Sequence, residues 1–107
     1  MIEITYTRSE NKVVIRGHAG AGKKGEDIVC AGVSALANTL AANVRHWDKF
    51  QKLDGQPKTF LQEGLGEISC NPKPRYEQSV KQVFTAICAG FELCAVSAPE
   101  HVHFTIE

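Results

Sequence analysis

Apolar and polar residues alternate from Ile2 to Thr7, with Ile2, Ile4 and Tyr6 set against Glu3, Thr5 and Thr7, and alternate again in Val102, Phe104 and Ile106. A period of two sends successive side chains to opposite faces, so both stretches predict half-buried strands. Arg8-Ser9-Glu10-Asn11 turns the first strand into a second over 12–17, carried by the β-branched Val13-Val14-Ile15, which makes an N-terminal hairpin. The period then lengthens. An Ala/Leu-rich run predicts a helix from about 27 to 48, with Trp47 near its end against a core or a dimer contact. Asp54-Gly55-Gln56-Pro57 marks a loop over 49–57, after which Thr59–Gln62 and Gly66–Cys70 flank Glu63-Gly64-Leu65 as a second hairpin. Pro72 and Pro74 end that strand and start a second helix near 75, and Pro99 closes it. Its Tyr76, Val80, Val83, Phe84, Ile87 and Phe91 recur at helical spacing, which is a core stripe rather than a cofactor box. The order β-β-α-β-β-α-β predicts an α+β two-layer sandwich, two long helices packed on one face of a mixed sheet.

Composition narrows the classes. At 107 residues and 43% hydrophobic, with no repeat, linker or low-complexity tract, the chain is expected to be a single domain over 1–107. Twelve acidic and twelve basic residues argue against a basic nucleic-acid surface. Met1-Ile2-Glu3-Ile4 lacks the regions of a signal peptide and no run nears about 18 consecutive apolar residues, so the expected location is cytoplasmic, with no membrane partner. Cys30, Cys70, Cys88 and Cys94 are too few and too scattered for a disulfide scaffold, and no C-x-x-C pair points to zinc. Cys88 and Cys94 read as core. His101 and His103 share a strand face, but two histidines without further ligands read as solvated, so no metal and no cofactor is expected.

One stretch carries chemistry. Between the β-branched run and the long helix lie Gly17-His18-Ala19-Gly20-Ala21-Gly22-Lys23-Lys24-Gly25-Glu26-Asp27, and Ile28, Val29 and Cys30 follow as the first helical positions. Asp27 suits the N-cap. Cys30 then stands among backbone N–H groups that no helical carbonyl accepts, at the positive end of the macrodipole, and both favour the thiolate. Asp27, Cys30 and Ser34 fall within about a third of the helix circumference. Gly20, Gly22 and Gly25 give the intervening loop the φ > 0 turns that let His18 fold back over this face, so a Cys/His dyad is geometrically open. Asp27 orients His18 or caps the helix, and capping is the simpler role. Ser34 hydrogen-bonds its own helix or tunes the thiol. The bland alternative is a small packing thiol beside an exposed loop histidine.

Two other motifs in the stretch fail on context. Gly17 to Lys23 satisfies G-x-x-x-x-G-K, yet Lys24 stands where a Ser or Thr would hold Mg²⁺, and the helix begins too late to clamp a phosphate. Gly20 to Gly25 matches G-x-G-x-x-G without the parallel βαβ unit that a dinucleotide needs.

Gly17-His18-Ala19, the glycine-bearing spacer, Asp27-Ile28-Val29-Cys30-Ala31 and Val33-Ser34-Ala35-Leu36 together resemble the signature of the bacterial ribosomal-processing cysteine protease family, Prp. The resemblance implies a short single-domain β-β-α-β-β-α-β protein in which His18 and Cys30 match the catalytic pair and Asp27 and Ser34 match neighbours in the motif. It also implies a homodimer and a peptide substrate, the N-terminal extension of a large-subunit ribosomal protein, the twenty-seventh of that subunit, cut beside an aromatic residue. The chemistry expected is peptide hydrolysis through a thioester, under a glycine loop that closes over the peptide. A rival reading is a non-enzymatic ribosome-associated or protein-binding module with Lys23 and Lys24 on RNA phosphate. Another is a thiol-dependent hydrolase or acyl transferase of small substrates.

Overall fold

A computed structural model of the chain describes residues 1–17 and 28–107. The strands are β1 (Ile2–Thr7), β2 (Lys12–Gly17), β3 (Lys58–Gln62), β4 (Leu65–Ser69) and β5 (Val102–Ile106); the helices are α1 (Ile28–Lys49) and α2 (Glu77–Ser97). They form one sheet in the order β3-β4-β2-β1-β5, antiparallel throughout except for β1 beside β5. This is the expected α+β arrangement with a mixed sheet.

Register explains the two layers. Ile4 pairs with Ile15 and Phe104, Tyr6 with Val13, Val13 with Ile68, and Ile2 with Val102, so the alternating apolar positions share one face. Both helices cover that face: α1 lies over β3 and β4, and α2 over β5 and against α1. Phe84, Phe91, Leu40, Val44, Val80 and Ile68 fill the space between the layers. Trp47 joins this core at the end of α1. On the other face Lys58 and Glu67 pair at 3.1 Å, and Phe60 stands exposed beside them.

Boundaries shift where local chemistry overrides the pattern. The second hairpin closes through two residues, Glu63 and Gly64, rather than three, because Gly64 takes φ 82° and lets Gln62 pair directly with Leu65. Before α2, Pro74–Tyr76 form a tight 3₁₀ turn, with proline where a missing N–H costs nothing. The first turn is pinned by Asn11, buried at φ 48°, whose Oδ1 accepts a 2.8 Å hydrogen bond from Lys81 Nζ; the same ammonium donates to the Arg8 carbonyl.

Tyr6 stacks on Phe84 with ring centroids 5.7 Å apart, and its buried hydroxyl meets no partner among the described residues. Burial holds its pKa above the ordinary tyrosine value. Tyr6→Phe removes an unsatisfied buried oxygen at nearly constant shape, so urea denaturation is expected to register a gain of about 1 kcal/mol. A comparable loss would reveal a partner for the hydroxyl.

Both helices are long and apolar enough, by length and composition, to cross a membrane, although polar residues such as Ser34, Asn38 and Thr39 in α1 and Glu92 in α2 interrupt their apolar runs. Their exposed residues include these polar ones and the apolar Ile28, Leu93 and Val96.

Candidate functional site

The motif falls where β2 ends and α1 begins. His18, Gly20, Gly22, Gly25 and Asp27 lie outside the described residues, as does the expected closing loop. Gly17, Cys30 and Ser34 are described.

Gly17 belongs to the sheet as the last residue of β2, opposite Ile2, with its N–H donating to the Gly64 carbonyl at 3.0 Å. It takes φ 91°, and a side chain there would run into the Met1 carbonyl. The sequence reading ends the strand at 17, as found, and also counts this glycine with those of the loop. Its second constraint, the Gly64 turn closing over it, comes from a residue far along the chain. The point of departure toward His18 is thus held by two strands. Gly17→Ala would combine backbone strain with a clash against main chain, so a loss of about 2–4 kcal/mol is expected in chemical denaturation. A loss under about 1 kcal/mol would mean that this corner is softer than its geometry.

Cys30 is the third residue of α1, as the sequence predicts. The first four N–H groups of a helix have no helical acceptor, and these donors surround the sulfur's own turn. Cys30 is half-buried, packed with Val29 at the rim of the core, and forms no disulfide. Ser34 follows one turn on, about 40° round the helix and exposed to solvent. Its carbonyl accepts a 2.8 Å hydrogen bond from Asn38 Nδ2.

The other thiols occupy different ground. Cys70 and Cys88 are buried, and burial pushes their pKa values up to about 11 and about 12. Cys94, read from sequence as core, is half-buried at the seam between the helices, its Sγ 3.7 Å from where a Cβ on Gly32 would stand. Gly32 and Cys30 point about 160° apart round α1, so Cys94 sits on the opposite flank. Native-state alkylation with iodoacetamide at pH 7 is therefore expected to modify Cys30 while Cys70 and Cys88 stay unmodified, read by mass spectrometry of the digested protein. Labelling of Cys88 at the rate of Cys30 would contradict this ordering. His103 is exposed on β5 and His101 precedes that strand; among the described residues no group of three His, Cys, Asp or Glu is placed to hold a metal ion.

Comparison with known proteins bears on this corner and on the whole chain. Residues 1–103 match the sequence profile of the family described as cysteine protease Prp. A Staphylococcus aureus ribosomal processing protease Prp, in complex with a covalently linked product peptide, superposes with a TM-score of 0.77 at 18% identity, with 100% of both chains covered. A Staphylococcus aureus Prp structure with a substrate peptide gives 0.72, again at 18% identity and 100% coverage of both chains. SMU.848 from Streptococcus mutans gives 0.70 at 27% identity, over 99% of this chain and 93% of that one. No curated protein sequence matches.

Proposed function

This chain belongs to the cysteine protease Prp family, and on that premise we propose that it cuts a peptide bond through a thioester on Cys30, with His18 as the proton partner. The observation that carries the reading is the place of Cys30, in the first turn of a long helix and at the rim of the core rather than within it. His18 takes the thiol proton, and the sulfur attacks the scissile carbonyl carbon to form a C–S bond. Backbone N–H groups of the helix start stabilise the oxyanion. The imidazolium returns its proton to the departing amine as the C–N bond breaks. Water, deprotonated by His18, then opens the thioester, releasing the acid and restoring the thiol. In this reading Asp27 and Ser34 are supporting residues beside the dyad, and Gly17, Gly20, Gly22 and Gly25 belong to the segment that receives the peptide.

The substrate we infer is the N-terminal extension of a large-subunit ribosomal protein, the twenty-seventh of that subunit, cut beside an aromatic residue by a cytoplasmic homodimer. Support comes from the family signature and from the Staphylococcus aureus relatives, which are described as ribosomal processing proteases and hold product and substrate peptides. The test incubates the protein with peptides spanning such an extension, with and without the aromatic residue, and follows products by mass spectrometry. Cleavage is expected beside the aromatic and lost in His18→Ala. Undiminished cleavage by His18→Ala would end the dyad; hydrolysis indifferent to the aromatic would end the substrate assignment.

A further inference from the structure

The two edges of the sheet are built differently. At one end of the strand order β3 is guarded: Pro57 precedes it, Lys58 opens it, and the guanidinium of Arg45 donates to the outward carbonyl of Thr59 at 3.4 Å. At the other end β5, from Val102 to Ile106, carries no Lys, Arg, Asp, Glu or proline. The Ile2 N–H reaches the His101 carbonyl and the Glu107 N–H reaches the Tyr6 carbonyl. Alternation therefore turns the N–H and C=O groups of Phe104 and Ile106 away from β1, where they meet no partner among the described residues. Beside this bare edge a groove of about 500 Å³ runs between β5 and α2, lined by Val96, Pro99, Val102, Phe104 and Ile106 with Glu92. Val96 is 72% exposed and Ile106 52%, so the groove is open along its length.

We propose that this edge docks the substrate beyond the cut: an extended basic segment adds to β5 as a further strand, its main chain pairing with Phe104 and Ile106 and its alternate apolar side chains entering the groove. The proposal rests on the peptidase reading above and gives that substrate a second point of contact. Charge supplies the match. From Gln82 to Glu107 the chain has no Lys or Arg, while Glu92 stands in the groove, Glu100 follows Pro99 and Glu107 follows Ile106, in a protein that is neutral overall. A ribosomal protein carries Lys and Arg against RNA phosphate, and those side chains meet acids here. The position also fits. Val102 opens β5 opposite Ile2, which faces Gly17, and Cys94 lies against Gly32, so the groove and the first turn of α1 share one end of the molecule. Glu92 points about 160° round α2 from Cys94, which places the groove on the flank away from α1. Across the helix pair that is about 20 Å from Cys30, a span of about six extended residues. One chain reaches both places.

Fluorescence anisotropy reads docking directly, with a fluorescein-labelled peptide of about ten residues that alternates valine with lysine. Its controls carry glutamate for lysine, or proline for every second valine. The valine–lysine peptide is expected to bind the full chain at least about tenfold more tightly than either control. Glu92→Lys, Val96→Lys and Ile106→Pro are each expected to weaken it at least about tenfold, whereas Asp48→Lys, the same change of charge at the far end of α1, leaves it unchanged. All four sites are exposed and the Ile106 N–H points outward, so folding is expected to survive, checked by circular dichroism. In cleavage assays a substrate with about twenty residues beyond the cut is expected to show a KM about tenfold below that of one with about four, which cannot span to the groove. The three groove variants are expected to erase that difference with kcat unchanged. A valine–lysine peptide that binds no better than its controls, or binds Glu92→Lys and Ile106→Pro as well as wild type, would overturn the docking edge. Equal KM for long and short substrates would overturn the substrate as its occupant, and self-association abolished by Ile106→Pro would give the edge to a second copy. Docking with neither substrate cut would sink the protease reading and leave the edge standing.

Discussion

Cys30→Ala is expected to lower kcat for peptide cleavage by at least about 10³-fold, the scale on which removal of a covalent nucleophile acts when binding and backbone donors remain. The loss is expected in turnover, with peptide binding retained, because the substitution removes the atom that forms the thioester and little else. Stability is expected to change by no more than about 1 kcal/mol, since the side chain is half-buried at the rim of the core. No buried thiol stands ready to substitute: Cys70 and Cys88 are held protonated to about 11 and about 12, and Cys94 lies on the far flank of α1. Cys30→Ser is expected to fare nearly as badly, because a hydroxyl does not ionise near neutral pH without a stronger base. Single-turnover assays with product quantified by mass spectrometry decide the matter. More than a tenth of wild-type turnover in Cys30→Ala would remove Cys30 from the chemistry.

The second large effect concerns what holds the layers together. Phe84 is fully buried, projects from α2 toward the sheet and stacks on Tyr6 of β1. Phe84→Ala deletes a ring from a close-packed seam, and the lost transfer energy and the residual cavity together cost about 3–5 kcal/mol. A domain of this size has about 5–15 kcal/mol in hand. The variant is thus expected to be at or near the edge of folding at 37 °C, with its urea midpoint moved sharply down. A shift below about 1 kcal/mol would mean that α2 is held by contacts other than this one.

The comparison between pattern and structure is instructive at particular residues. The strands over 2–7, 12–17 and 102–106 and the first helix from 28 were legible because period and turn chemistry agree there, and Asn11 indeed closes the first turn in a left-handed conformation. The place of Cys30 in the first turn of α1 was legible for the same reason. What escaped was which residues pair. Nothing local to Gly17 signals that it pairs with Ile2 and lies beneath Gly64, and nothing in Leu65 signals that its partner is Gln62 with only two residues between. The pattern also left unmarked that Ile28, Leu93 and Val96 stand exposed on the helices.

The position of β1 has a consequence for how the chain comes into being. One edge of β1 is satisfied by β2, a few residues downstream, but the other by β5, where Ile2 meets Val102 and Tyr6 meets Ile106. During synthesis the first strand therefore waits with a bare row of amides and carbonyls until β5 has emerged, and any fragment ending before residue 102 carries an adhesive β edge into a crowded surrounding.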